Sequence, residues 1–279
     1  MPNLSRQEAE KVIATLAIPP RPTVVTGMME EQSRDEPDLG RIAQLIASDV
    51  GISAAVLKTV NSPLYGLKRK ATSIDQAVSM LGLNNVAALV TSLTLRHSIP
   101  ADGLDRFWDE AARTALLMAF LAQYLGNVPR EEAYMFGLFH DCGIPLLVTR
   151  FPNYKETLRL ANAAMERDFT AVEDERHHTN HAVVGGLLAA NWHLPRHLRD
   201  AIRLHHDLQA FQSGASEATL NLIALIQLAE HLENLYARRA NDSEWSKMGE
   251  AAQAYLLVGE REMADLSKDA GDLLQELDS

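Results

Sequence analysis

The chain has 279 residues, 47% of them apolar and 23% charged, enough for one large or two modest domains with real cores and no sign of disorder. Its formal net charge of −11 argues against a nonspecific nucleic-acid surface, which needs clustered Lys and Arg to displace phosphate counterions. A single cysteine, Cys142, excludes an internal disulfide and fits a reducing compartment.

The periodicity along the chain is helical. Ser5 and Glu8 form a capping box, after which Ala9, Val12, Ile13 and Leu16 recur at helical spacing until Ile18-Pro19-Pro20-Arg21-Pro22 stops the helix. A second helix is expected over Thr23 to Gln32. A third opens at Asp38 with Ile42, Leu45 and Ile46 on one face, and Asp49-Val50-Gly51 breaks it. A fourth runs over Ile52 to Val60 and ends before Asn61-Ser62-Pro63, followed by a loop, Leu64-Tyr65-Gly66-Leu67. Ser73 with Gln76 caps the next helix, Gly82 ends it, and Asn84 to Thr94 follows. The pattern pauses at Ile99-Pro100-Ala101-Asp102-Gly103, so residues 1–103 read as an N-terminal bundle of short helices and 104–279 as a second helical domain. There the expected helices are Phe107 to Leu125, Arg130 to Cys142, Asn153 to Arg167, Thr170 to Arg176, Asn180 to Trp192, Pro195 to His205 and Thr219 to Arg239, with two more in the tail, Ser246 to Leu277. No strand alternation, fixed repeat or low-complexity run is present, so the fold class is all-α.

Met1 to Glu10 lacks the basic and apolar regions of a signal peptide, and no apolar run approaches the ~20 residues of a membrane helix. A cytoplasmic protein with no membrane contact is expected. Lys68-Arg69-Lys70 reads as a solvated turn, and Cys142, in apolar helical surroundings, as a buried small hydrophobe.

The chemical signal lies in the histidines. His97 is alone in the first half; the other nine fall between His140 and His231. His140-Asp141 follows the apolar run Tyr134-Met135-Phe136-Gly137-Leu138-Phe139. Neighbouring helical residues point ~100° apart, so both can touch one ion only if it sits beside the helix end. Imidazole beside carboxylate suits Fe, Mn, Zn or Ni. His181 begins one later helix, His205-His206-Asp207 ends another, and Glu230 lies on the next, beside His231. Glu110 falls on the core side of its helix if Leu117 and Leu121 mark that face. His177 and His178 read as solvated loop residues, and His193 and His197 as surface or cap residues.

Gly137-Leu138-Phe139-His140-Asp141-Cys142-Gly143 resembles the HD motif of the HD phosphohydrolase superfamily. More specifically, the stretch from about Ile18 to Leu208 is similar to the HDOD domain, the HD-related output domain of bacterial signalling proteins. Ile18-Pro19-Pro20-Arg21-Pro22, Ile46-Ala47-Ser48-Asp49-Val50-Gly51, Leu57 to Gly66, and Thr72-Ser73-Ile74-Asp75-Gln76-Ala77 with Leu81-Gly82 match its pattern in order. The resemblance implies an N-terminal bundle packed on an HD-like helical domain, with metal ligands at His140, Asp141, His181, His205 and His206. The superfamily's early histidine, expected just after Trp108, is replaced by Glu110, and its late aspartate by Glu230. Glutamate can ligate the same metals. The lysine that active HD-GYP relatives carry after the pair falls on Ile144, followed by Pro145, and no Gly-Tyr-Pro segment follows His206.

The resemblance implies a regulatory output module, non-catalytic, acting through a sensor kinase, a receiver domain or a diguanylate cyclase-type partner. The alternative is a metal-dependent phosphohydrolase acting on a nucleotide or cyclic dinucleotide. A DNA-binding regulator is disfavoured by the acidic balance and the lack of a basic recognition helix.

Overall fold

The computed structural model describes residues 14–62, 65, 69–99, 103–239 and 242–278. The Ser5–Glu8 capping box, most of the Leu64–Leu67 loop, Lys68 and the core of the 99–103 pause lie outside the described residues.

The described residues form α-helices, short 3-10 turns and no strand. Four short helices, α1 (Thr23–Gln32), α2 (Leu39–Ala47), α3 (Val50–Val60) and α4 (Ile74–Leu81), precede the longer α5 (Leu83–Ser98). Their starts follow from side-chain caps. The Asp38 carboxylate accepts from the amides of Gly40 and Arg41, Asp49 from Ile52, and Ser73 from Gln76. Gln76 Oε1 reaches back to the Thr72 amide, one residue before the usual capping-box partner. Asn61 clamps Ala71 from both sides: its Oδ1 accepts from the Ala71 amide at 2.7 Å and its Nδ2 donates to the Ala71 carbonyl at 2.9 Å. That pair closes the segment between α3 and α4.

Ten more follow among the described residues: α6 (Asp105–Leu125), α7 (Arg130–Phe139), α8 (Gly143–Arg150), α9 (Tyr154–Ala163), α10 (Phe169–His177), α11 (His181–Asn191), α12 (Arg196–Leu204), α13 (Glu217–Tyr236), α14 (Ser243–Leu256) and α15 (Glu260–Asp278), of which α6, α13 and α15 are the long ones. Several of these, α7, α8 and α9 among them, differ from the sequence expectation. The helix expected over Arg130 to Cys142 stops at Phe139, and a separate helix, α8, starts at Gly143. Pro145 is compatible with α8 because it sits in the first turn, where amides have no intrahelical partner. The helix expected to reach Arg167 ends at Ala163.

Two apolar cores meet at α6 and α7. One is built on Ile42, Ile46, Val56, Val60, Val78 and Val90 of the short helices, with Ala111, Ala115 and Ala119 of α6 and Tyr134 and Leu138 of α7. The other takes the opposite faces, Leu117, Met118 and Leu121 of α6 with Phe136 and Phe139 of α7, against α8 and α11 to α15. Alanines at four-residue spacing let α6 lie close to α7, so close that a Cβ on Gly137 would sit 2.6 Å from the Ala115 Cα. This shared wall holds the end of α7, where the His-Asp pair sits.

Candidate metal centre

His140 caps α7, and Asp141 lies in the turn before α8. Close backbone packing seats this turn on α11. A Cβ at Gly143 would lie 2.1 Å from the His181 carbonyl oxygen, and one at Gly185 would lie 3.2 Å from the Cys142 sulfur and 3.4 Å from the Gly143 nitrogen. Two glycines thus bring the start of α8 against the start of α11, and His181 arrives beside Asp141. Asn180 caps α11 by accepting from the Val183 amide. His205 and His206 follow the end of α12, and Gln227 of α13 holds that turn by donating to the His205 carbonyl at 3.0 Å.

Ligand-capable atoms of Asp141, His181, His205 and His206 all lie within 4.8 Å of one another. Asp141 also belongs to a second such group with His140 and Glu230. Asp141 Oδ1 is 3.2 Å from His181 Nε2 and 3.3 Å from His205 Nε2, and those two nitrogens are 3.3 Å apart. On the other side, His140 Nε2 is 3.2 Å from Glu230 Oε1 and 3.6 Å from Asp141 Oδ2.

The outer ring nitrogens explain this convergence. His140 Nδ1 donates to the Gly137 carbonyl at 2.7 Å, and His205 Nδ1 to the Ile202 carbonyl at 2.8 Å. His181 Nδ1 donates to Glu173 Oε2 at 2.7 Å, and His206 Nδ1 to Glu244 Oε2 at 2.6 Å. With each Nδ1 proton committed outward, each ring in its neutral form would turn an Nε2 lone pair to the centre. Metal-binding histidines are oriented in this way, by a carbonyl or carboxylate behind the ring. The Glu173 carboxylate is fully buried and also accepts from the Tyr154 hydroxyl. Phe169 stacks flat on His206 at 4.7 Å and 11°.

The cluster is short of positive charge. Asp141, Glu173, Glu230 and Glu244 surround it, with Lys247 paired to Glu244. Asp141 Oδ1 is buried and receives no aligned hydrogen bond. Burial pulls the His181 imidazolium down, but Glu173 and then Asp141 outweigh it and lift the group to about 10. Burial, and then His206, push His205 down to about 3. Burial would raise Asp141, yet His140 and His181 beside it hold its carboxyl well below the usual range. A proton on His181 supplies one positive charge here; a divalent cation supplies two and releases that proton. The residues fit such an ion by donor type, burial and orientation: imidazole nitrogens with carboxylates suit borderline first-row metals.

His181 and His205 are fully buried behind the cluster, whereas His140, Asp141, His206 and Glu230 face a cavity of about 600 Å³. Phe107, Phe169 and Trp245 supply apolar wall. Glu110, Asp141, Glu230, Glu233, Asp242 and Glu244 also line it, and Arg239 is the one Arg or Lys among the described lining residues. Arg239 is bound to Glu110 at 2.7 Å and to Glu233 at 3.2 Å.

Of the sequence candidates, His140, Asp141, His181, His205, His206 and Glu230 come together. Glu110 lines the same cavity but joins neither ligand group, because its Oε1 is taken by Arg106 at 2.8 Å and by Arg239. His177, expected in a solvated loop, ends α10 and is 4% exposed, packed on Phe151 and Tyr154 and bonded to Thr157. His178 takes the left-handed cap that ends α10, and exposed His193 also has positive φ. His197 is half-buried and paired with Glu132. His231 stacks on Trp245 and bonds to Asp242. Cys142 is buried, with its thiol pushed up by burial. The orienting carboxylates Glu173 and Glu244 had no sequence signal, lying among other acids of polar helix turns, Asp174 and Glu175 beside the first and Asp242 near the second.

Residues 18–208 match the HDOD domain family. The chain belongs to the HDOD domain family. Among curated relatives, an uncharacterized protein of Treponema pallidum (strain Nichols) is 26% identical over 211 residues, 72% of this chain and 41% of its own length. The Bacillus subtilis (strain 168) uncharacterized protein YuxH is 30% identical over 116 residues, 40% of this chain and 28% of its own. The chain thus spans less than half the length of these relatives. Among solved structures, a Shewanella amazonensis SB2B protein provisionally named a phosphohydrolase superposes with a TM-score of 0.73 at 20% identity, covering 98% of this chain and 97% of the other. A Geobacter sulfurreducens HDOD domain protein of unknown function gives 0.65 at 19% identity, covering 96% and 97%. At these identities the likeness is one of fold, an all-α HDOD architecture with an HD-like second half. No single described helix is long and apolar enough to cross a membrane.

Proposed function

We propose that this HDOD protein is a regulatory output module of a bacterial signalling pathway that binds a divalent metal through Asp141, His181, His205 and His206, with His140 and Glu230 on the open side. It works in the cytoplasm through a protein partner, a sensor kinase, a receiver domain or a diguanylate cyclase-type enzyme, rather than by turnover. The observation that carries the non-catalytic part is the cavity wall. Phosphoryl chemistry needs cationic groups placed where negative charge develops. Here Ile144 stands where a lysine would, and Arg239 is already neutralised by Glu110 and Glu233. Metal analysis of the purified protein tests the first part, with stoichiometric Fe, Mn, Zn or Ni expected. A screen of generic phosphodiesters with the metal-loaded protein tests the second, with no release above the rate of an Asp141→Ala variant expected.

The second reading is a metal-dependent phosphohydrolase acting on a nucleotide or cyclic dinucleotide. The exposed face of the cluster favours it, since catalytic metal sites keep one side open to water and substrate. A metal would there polarise a phosphoryl oxygen and activate water, while the histidines and Asp141 hold it in place. Turnover lost in both Asp141→Ala and His140→Ala would establish this reading over the first.

A further inference from the structure

Glu244 lies beyond residues 18–208, in the first turn of α14, yet it reaches the centre of the molecule. Its Oε2 accepts the His206 Nδ1 proton at 2.6 Å, and its side chain is 12% exposed. Lys247, one turn further on, pairs with its other oxygen and is 5% exposed. The Lys247 ammonium also donates to the carbonyls of Ala164 at 3.3 Å and Arg167 at 3.1 Å, in the segment after α9. On the opposite side Trp245 lies flat on His231 at 4.1 Å and 8°, and Asp242 accepts from His231 Nδ1 at 2.6 Å and from Asn234 Nδ2 at 3.1 Å. The start of α14 is therefore tied to three places: α13, the segment after α9, and the back of a candidate metal ligand.

We propose that Glu244 is the positioning carboxylate of His206 and that through it the docking of α14 is linked to metal occupancy of the cluster, so that the C-terminal segment reports the metal state. The proposal rests on the reading of the cluster as a metal site. The physical basis is reciprocity. If docked α14 raises metal affinity by orienting His206, bound metal must favour docked α14 by the same factor. Carboxylates behind metal-bound imidazoles contribute about 10- to 100-fold to affinity. Local opening of α14 is expected to fall by that factor when metal binds. The Glu244–Lys247 pair makes the link one of position as well as charge, because Lys247 fixes the carboxylate against backbone carbonyls that belong to neither helix.

The test uses the full chain with Zn²⁺ or Mn²⁺ as the probe. Metal affinity is measured by chelator competition for the wild type, Glu244→Gln and Lys247→Met, and amide exchange of residues 243–256 is followed with and without metal. Expected are a 10- to 100-fold loss of affinity in Glu244→Gln, a smaller loss in Lys247→Met, which touches no ligand, and metal-induced slowing of exchange in the wild type that both variants lose. Wild-type affinity in both variants, or slowing of exchange that both retain, overturns the linkage while leaving the metal site standing. No metal uptake by the wild type overturns the metal reading and the linkage with it. Should Glu244→Gln fail to fold, the Lys247→Met comparison decides alone.

Discussion

Replacing Gly143 by alanine adds one methyl group at the place where the HD turn meets α11. That Cβ would lie 2.1 Å from the His181 carbonyl oxygen, 2.8 Å from its carbon and 2.9 Å from the Gly185 nitrogen. All three are backbone atoms, so no side chain can rotate aside. A relaxed C···O contact is about 3.3 Å, so the two helix starts must part by about 1.2 Å. Overpacking of this kind costs about 1–3 kcal/mol, and the upper end applies because helix backbones must move. His181 moves with α11, and its Nε2 is 3.2 Å from Asp141 Oδ1 at present. Metal–ligand distances tolerate about ±0.2 Å, several times less than this displacement. Gly143→Ala should therefore lose about 3 kcal/mol in urea denaturation of the metal-free protein and at least tenfold in metal affinity by chelator competition. A variant that keeps wild-type metal affinity would refute the claim that this glycine sets the approach of His181 to Asp141.

Glu173→Gln keeps the shape behind His181 and removes the charge, so affinity for Zn²⁺ or Mn²⁺ should fall about 10- to 100-fold with the far-UV circular dichroism unchanged; unaltered affinity would remove Glu173 from the site. Glu110→Gln should leave metal stoichiometry at the wild-type value in elemental analysis, because Arg106 and Arg239 rather than the cluster hold that carboxylate. Loss of one metal equivalent would return it to the ligand set. Glu31, 1% exposed, accepts from the Asp38 amide and is paired with Arg34 and Arg41. The Asp38 amide bond, then the arginines, outweigh burial and hold its carboxyl below the usual 4.5. Its stabilisation is thus fully present above 4.5 and fades as pH falls through the lowered folded-state value. Denaturation midpoints measured from pH 6 down to pH 3 should drop less steeply for Glu31→Gln than for the wild type, and parallel slopes would contradict the assignment.

Local signals in the sequence were enough to locate most helices. Asp38, Ser73 and Asn180 each accept an amide at a helix start, and Gly82, with positive φ, ends α4; Asp49, read as part of a break, is itself the cap from which α3 starts two residues earlier than expected. These signals act within one turn of chain, and so they can be read without tertiary structure. The start of α8 could not, because no side chain caps it: Cys142 stands at the N-cap without a capping hydrogen bond. Gly143 is needed for a contact forty residues away, with His181 and Gly185, and Pro145 is harmless only because α8 starts where it does. The same limit applies to the site. Histidines that cluster in sequence drew attention to His140, His181, His205 and His206, but nothing local separates Glu173 or Glu244 from the other acids of an acidic chain. Their role depends on which ring nitrogen they meet across the core. His177 shows the converse error, a polar neighbourhood in sequence that folds against Phe151 and Tyr154.

Glu110 and Glu230, the two positions where the resemblance implied a substituted ligand, have separated in the structure. Glu230 stays with His140 and Asp141, where an extra methylene relative to aspartate still brings Oε1 to 3.2 Å from the imidazole. Glu110 has instead acquired partners, and Arg239 bridges it to Glu233, which Arg113 also holds at 3.1 Å. A carboxylate in place of an imidazole on a cavity wall adds a negative charge to a region already rich in them. Leaving such a charge unpaired at a partly buried position is costly, and a guanidinium can satisfy two carboxylates at once through its forked donors. The Glu110–Arg239–Glu233 bridge therefore neutralises this charge without an ion at that point. The price is that the one Arg or Lys among the described residues of the cavity wall is spent on internal neutralisation. If the cluster holds the proposed metal, a phosphoryl ligand entering this cavity would draw its positive charge from that ion, and this condition joins the two proposed readings.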